Sequence, residues 1–297
     1  MLAASLVVFV AMQVLPGDPA AVALGTGARA DTLAALRHQM GLDQPALWRY
    51  LGWLGQLGRG DLGISMTYHV PVASLLAPRV AISVPLAGAA VALSTALAVP
   101  VGVWAAARRG QWRDLAAMSV AQMGVALPNF WLGLLLILLF AVTLPWLPAS
   151  GFPGWSDPWA AVRALLLPTL ALALPQAAVL ARVTRAAVLE TLGQDYVRSA
   201  RARGMTRRAA MWRHAVPNAL VPVVTIIGLQ FSFLLAGTVI IENVFTLPGL
   251  GRLLFQAIAQ RDLIVVQDLV VLLAGSVIVV NFLIDLSYLA LDPRLRG

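Results

Sequence analysis

Apolar positions in this chain fall in long unbroken runs, not in the period-two alternation of strands or the narrow stripe of a soluble amphipathic helix. Residues 80–107, 115–156, 164–181 and 214–241 carry no charge, and 263–284 is interrupted only by Asp268. About 20 apolar residues cross a bilayer core, so each run predicts one spanning helix. Within 115–156, Pro145, Pro148, Gly151, Pro153 and Gly154 crowd the second half. That pattern predicts a helix in the first part and an interfacial loop in the second, with Trp146, Trp155 and Trp159 at the membrane surface. The opening MLAASLVVFVAMQVL is apolar but short before PGDP breaks it, and it has neither the positive start nor the cleavage site of a signal peptide. It reads as a first span, clipped or tilted, whose start lies at Met1 or upstream.

The expected fold is therefore all-α: a polytopic membrane protein of about six transmembrane helices. Its parts are a first span over 1–15, an extracytoplasmic loop over 16–78, and a five-span domain over 79–297 that encloses a charged loop at 183–213. In the long loop, DTLAALRHQMGL and QPALWRYLGWLGQLGRG have helical periodicity and predict a small helical cap or simple packing over the bundle. Small residues, as in LAGAAVALSTALAVPVG, allow close helix approach where lipid supplies no hydrophobic drive. The polar residues inside spans are Gln122, Asn129, Gln176, Gln230, Ser232, Thr238, Asn281 and Asp285. They fit interhelical hydrogen bonds or a water-filled path, and Asp285 lies within reach of Arg294.

Charge fixes the orientation. Of 297 residues 60% are apolar, mean hydropathy is +0.84, and 21 basic residues stand against 13 acids. Every basic residue is arginine. Arg108, Arg109 and Arg113, the arginines between 182 and 213, and Arg294 and Arg296 fall on one side of the predicted bundle. By the positive-inside rule that side is cytoplasmic, which places both termini inside. Without lysine the chain cannot build a phosphate-binding loop of the G-x-x-x-x-G-K-[ST] type, so ATP, if used, is bound by another subunit. Without cysteine there is no disulfide and no thiolate ligand. His38, His69 and His214 lie outside the spans and no H-E-x-x-H is present, so neither a catalytic nor a metal site is expected, nor a cofactor of the chain's own. The basic surplus lacks the aromatic interleaving of a nucleic-acid surface. A gradient-driven secondary transporter is the alternative, but such proteins keep ionisable residues near the membrane centre, and none here is clearly central.

The remaining chemistry lies in RSARARGMTRRAAMWRHAVP, residues 198–217. Leu189, Leu192 and Tyr196 recur at helical spacing, which predicts an amphipathic helix over 183–203. Gly204 would stop it, Thr206 would cap a stub helix over 207–214, and Pro217 would mark the junction with the next span. Fixing topology needs only a few arginines, whereas this segment has the makings of a folded docking element. On the other side, ENVFTLPGLGRLL (242–254) is turn-forming; it fits an external gate, a contact with an outside protein, or a surface loop.

These stretches resemble the membrane subunits of binding-protein-dependent ABC importers. The pattern there is E-A-A, three residues, G, nine residues, I-x-L-P. Here Arg198-Ser199-Ala200, Gly204 and His214-Ala215-Val216-Pro217 hold those places with the spacing intact. Arginine, serine, histidine and valine depart from the generic letters. LPGDPA (15–20), MGLDQP (40–45), GDLGIS (60–65), ENVFTLPGLGRLL and LDPRLR (291–296) are similar to the peptide-permease branch, in order along the chain. The resemblance implies a bacterial inner-membrane permease that forms half of a pathway for peptides or a related small solute such as nickel. It implies a second homologous permease, two cytoplasmic ATPase subunits that hold the ATP, and an extracytoplasmic substrate-binding protein. Arg198, Ser199, Ala200, Gly204, Thr206, Arg208, His214 and Pro217 would then couple to the ATPase, with the stub helix seated in its groove. Glu242, Leu247, Pro248, Gly249 and Gly251 would contribute to the external gate.

Overall fold

A computed structural model describes residues 2–14, 18–24, 29–39 and 41–291. Residues 15–17 of LPGDPA, Met40 of MGLDQP, the tail from 292 with Arg294 and Arg296, and the side chain of Asp285 lie outside the described residues. Every regular element among those described is helical: α1 (Leu2–Val14), α2 (Pro19–Leu24), α3 (Ala30–Gln39), α4 (Ala46–Gly58), α5 (Val72–Ala107), α6 (Trp112–Ala126), α7 (Asn129–Ile137), α8 (Pro158–Leu192), α9 (Asp195–Ala202), α10 (Arg207–Ala210), α11 (Val216–Val244), α12 (Leu250–Gln260) and α13 (Leu263–Leu291). π-Helical turns over Leu138–Thr143 and Met211–Ala215 extend α7 and join α10 to α11.

Four stretches are long and apolar enough to cross a membrane: Val72–Ala107, Pro158–Leu192, Arg207–Leu235 and Leu263–Ile284. A fifth span arises if the pair Trp112–Ala126 and Asn129–Thr143, bent by 98°, counts as one. The apolar α1 has 13 residues, about 20 Å of helix against a core of about 30 Å. Charge-free runs underestimated the helices because an arginine does not end a helix. Arg79, Arg163, Arg182 and Arg185 all lie inside helical segments. The bend falls at Leu127-Pro128: Leu127 is extended (φ −84°, ψ 124°), the conformation a following proline imposes.

The chain forms two compact units. The first comprises Met1–Ser83 and Pro248–Ser276. Both periodic segments of the long loop are helices there, α3 and α4. Phe9 of α1 packs on Tyr50 of α4 with the rings tilted by 56° and their centroids 5.2 Å apart, and Met12, Val72, Leu76, Leu253, Val265 and Leu269 share one apolar core. Asp262, fully buried, ties the 65–67 turn to the start of α13. It accepts from Ser65 Oγ, from the backbone N–H of Met66 (3.3 Å) and Thr67 (3.1 Å), and from that of Val265 (3.3 Å). Trp53 donates its indole N–H to Asp268 at 2.8 Å, so this acid inside an apolar run belongs to the packing of α4 on α13.

The second unit comprises Val84–Leu247 and Val277–Gly297, with α8 at its centre. Two thirds of the apolar window of α8 (67%) is buried, against 33–39% in the other three long spans, and α6, α7 and α11 all pack on it. Its prolines, Pro168 and Pro175, stay within the helix, sheltered by these neighbours. Gly102 permits the closest approach of α5 to α8: a Cβ there would lie 2.6 Å from Thr184 Cβ and 2.7 Å from the Ala181 carbonyl oxygen. Gln230 of α11 donates to the Gln176 carbonyl at 2.8 Å, one of the interhelical bonds expected of span amides.

Candidate functional site

The segment around Gly204 differs from the continuous amphipathic helix expected over 183–203. α8 ends at Leu192, with the Gly193 N–H bonded to the Glu190 carbonyl at 3.0 Å, and α9 begins at Asp195, after Gly193 and Gln194. The reason lies in side-chain burial. In α8, Arg185 pairs with Asp114 through Nε (2.6 Å) and Nη2 (2.7 Å), and Arg182 donates to Gln122 at 2.7 Å. These arginines face α6. In α9 the inward residues are Val197 and Ala200, while Tyr196, placed on the apolar stripe by spacing alone, is exposed. One helix could not keep both faces inward, and the Gly193-Gln194 break rotates the second against the first.

The end of α9 follows the expected pattern closely. The Gly204 N–H bonds to the Arg201 carbonyl (2.9 Å) and the Met205 N–H to the Ala200 carbonyl (3.3 Å), the paired bonds of a Schellman turn. Gly204 sits at φ +94°, with open space where a Cβ would project. Glycine is needed here for backbone conformation and not for room. Thr206 Oγ1 then accepts from the Ala209 N–H at 3.3 Å, the cap anticipated for the next helix.

The stub helix over 207–214 is not a separate element. α10 passes through the π turn at Met211–Ala215 directly into α11, and Arg207–Leu235 qualifies as one span. Pro217 therefore does not divide two helices. It occupies the first turn of α11, where the wider turn before it removes the usual clash with the carbonyl four residues back. Arg208 is exposed and His214 half-buried on this continuous rod. What stands apart is α9, whose outer face carries Asp195, Arg198, Ser199 and Arg201, all exposed. Among the described residues Arg198 forms an ion pair with Asp195 of its own helix, at 3.6 Å with both side chains in water.

The second candidate stretch begins at the end of α11. Glu242 and Leu247 are fully buried, and the Leu247 N–H bonds to the Glu242 carbonyl (2.8 Å) while that of Thr246 bonds to Asn243 (3.3 Å). This is again a Schellman turn, with a threonine at φ +50° where the first has glycine. Beyond it, Gly249 and Gly251 are buried and Pro248 is exposed, with the Leu250 N–H held by Ser83 Oγ at 2.8 Å. The burial of Leu247, Gly249, Leu250 and Gly251 is that of a packed turn, not of a free surface loop.

The Asp114–Arg185 pair was not legible in the sequence, because the two residues are 71 positions apart and Arg185 looked like one more member of the arginine run. Among the described residues no cluster of three metal-ligating side chains forms.

Known proteins resemble the chain along its whole length. Residues 98–297 match the family described as binding-protein-dependent transport system inner membrane component, and residues 1–86 match its N-terminal companion. A Brucella abortus protein named as a peptide transport system permease protein is 43% identical over 297 residues, covering 100% of this chain and 95% of that protein. The glutathione transport system permease protein of Escherichia coli is 38% identical over 292 residues, 98% of this chain and 93% of its own. Two solved structures share the fold at lower identity. One is the MetNI methionine ABC transporter in inward-facing conformations (TM-score 0.61, 20% identity, 74% of this chain and 97% of that one). The other is an amino acid ABC transporter crystallised with histidines (TM-score 0.52, 19% identity, 79% and 96%). With both family matches in register and full-length relatives at this identity, the chain belongs to the binding-protein-dependent inner membrane component family and is the permease subunit, not the ATPase, of an ABC importer.

Proposed function

We propose that this permease forms half of an import pathway for peptides or a glutathione-sized solute and is driven through α9 by a separate ATPase subunit. The observation that carries the reading is the isolation of α9. It is an eight-residue helix with an exposed outer face, bounded by Gly193 and the Gly204 turn, and beyond that turn α10 runs through the π turn into a spanning helix. A partner that grips α9 therefore acts, through the hydrogen-bonded Gly204 turn, on the α10–α11 rod. Arg198 and Ser199 form the docking face, Ala200 anchors α9 from beneath, and Gly204 and Thr206 set the angle to α10. Arg208, His214 and Pro217 lie along the rod that carries the motion. In this reading the grip is on α9, ahead of the stub helix around Gly204 to Arg213 that the family resemblance implies.

The arginine-rich side is the cytoplasmic one in this reading, with both termini inside, as the positive-inside rule requires. A second homologous permease, two ATPase subunits holding the ATP and an extracytoplasmic binding protein complete the importer. The packed turn with Glu242, Leu247, Pro248, Gly249 and Gly251 lies at the other end of α11, suited to an external gate. The full-length similarity to proteins named for peptide and glutathione transport supports this choice of cargo. The test is affinity capture of the tagged chain from solubilised native membranes. Wild type should bring down a second permease and an ATPase, and Gly204→Asp should retain the permease and lose the ATPase. Wild type arriving without an ATPase would refute the proposal.

A further inference from the structure

Beside the coupling segment the second unit holds a cavity of about 650 Å³ between the arginine-rich end of α5 and the start of the α10–α11 rod. Trp104 of α5 and Arg108, the first residue beyond it, form one wall, and Arg207, Arg208, Met211 and Trp212 form the other. Arg108 lies 4.6 Å from the centroid of the Trp104 ring. Among the described residues no acid lines the cavity, and none of these three guanidinium groups enters a salt bridge. Three arginines lining one cup, with no acid beside them, give it a positive field that favours an anion.

The apolar surroundings narrow the choice of anion. Leu97, Val101 and Trp104 follow one another at four- and three-residue spacing, so they lie on one face of α5, and Arg108 follows in the turn at its end, over the Trp104 ring. Leu97, Val101 and Trp104 are 39–40% exposed. Leu97 and Val101 also line an apolar cavity of about 460 Å³ formed with α6 and α8. The same helix face thus passes from hydrocarbon-like lining to indole and then to guanidinium, the sequence of environments met along a phospholipid from acyl chain to phosphate. A soluble phosphate would use the arginines and leave the apolar track unfilled.

We infer that this cup binds the phosphate headgroup of an anionic phospholipid, phosphatidylglycerol or a relative, with an acyl chain lying along Leu97 and Val101. The inference rests on α5 and α11 being membrane-spanning and is independent of ATPase docking. Arginine forks bind phosphate oxygens in paired hydrogen bonds, and Trp104 and Trp212 flank the headgroup at interfacial depth.

The test is native mass spectrometry of the full-length permease in neutral detergent, titrated with phosphatidylglycerol or phosphatidylcholine of identical chains. Wild type should favour phosphatidylglycerol by about tenfold, in keeping with several basic side chains acting on one anionic headgroup. The variant R108Q/R207Q/R208Q should fall to within about twofold, and Arg208→Gln alone should lie between. The charge-matched variant R109Q/R113Q/R203Q, altered outside the cup, should keep the preference. Equal loss in both triple variants would reduce the effect to net charge and overturn the site. Displacement by inorganic phosphate or by chain-free glycerophosphoglycerol would replace the lipid with a free anion and overturn it as well. Capture of the ATPase by R108Q/R207Q/R208Q, measured in parallel, separates loss of lipid from loss of docking.

Discussion

The arginines between 182 and 213 form one charged run in the sequence and two kinds of residue in the structure. Arg185 sits in α8 with only 27% of its side chain exposed, gripping a nearly buried Asp114 with both ends of its fork. Arg198, on α9, is 72% exposed and among the described residues its ion pair is with Asp195, itself 96% exposed. The first holds the bundle together and the second is available to a partner. Positive charge in a membrane protein's loop thus has at least two uses beyond topology, and burial of the opposing carboxylate distinguishes them.

Substitutions can break this contrast, beginning where the largest effect is expected. Asp114→Ala leaves Arg185 half-buried without its counter-charge and should destabilise the chain by about 3 kcal/mol. A fall of several degrees in thermal unfolding of the detergent-solubilised protein would show it, and an unchanged midpoint would place Arg185 among the solvated arginines. Gly204→Val forces a β-branched residue into a left-handed conformation, costing about 1–2 kcal/mol. Its larger consequence is that α9 loses its fixed angle, so ATPase capture should fall far more than stability does. Thr206→Ala removes one long cap bond and should cost about 0.5–1 kcal/mol, visible as a small drop in melting temperature with capture largely kept. Arg198→Gln should leave stability within about 0.5 kcal/mol, as for other exposed pairs, yet make ATPase capture weaker and less sensitive to salt. If Arg198→Gln destabilised the chain as much as Asp114→Ala, the contrast would collapse.

Much of this architecture was readable from residues alone, for identifiable reasons. Apolar runs longer than a soluble core needs announced the long helices, and Gly204 followed by Thr206 announced a turn and a cap that both form. Such signals are local: a backbone conformation that suits glycine or an oxygen two or three residues before an N–H. Three features were not readable. The break at Gly193 depends on α8 and α9 burying different faces, which spacing alone does not reveal, and so Tyr196 was placed inward. The fusion of 207–214 with the next span depends on a π turn that accommodates Pro217. The Asp114–Arg185 and Trp53–Asp268 contacts join residues far apart in sequence, and an isolated acid near an apolar run carries no mark of its partner. In the candidate site, the Gly204 turn and the Thr206 cap form as the local pattern predicts, while the division into α9 and a rod that continues into α11 depends on burial and on the π turn.

The most direct test uses the absence of cysteine from the natural chain. A thiol introduced by Ser199→Cys on the outer face of α9 is then the one cysteine among these 297 residues. Treatment of the assembled importer with a short thiol-to-amine cross-linker should join this position to an ATPase subunit, while Trp112→Cys, on the exposed start of α6, should not. Cross-linking from Trp112→Cys but not from Ser199→Cys, in a complex that retains its ATPase, would contradict coupling through α9.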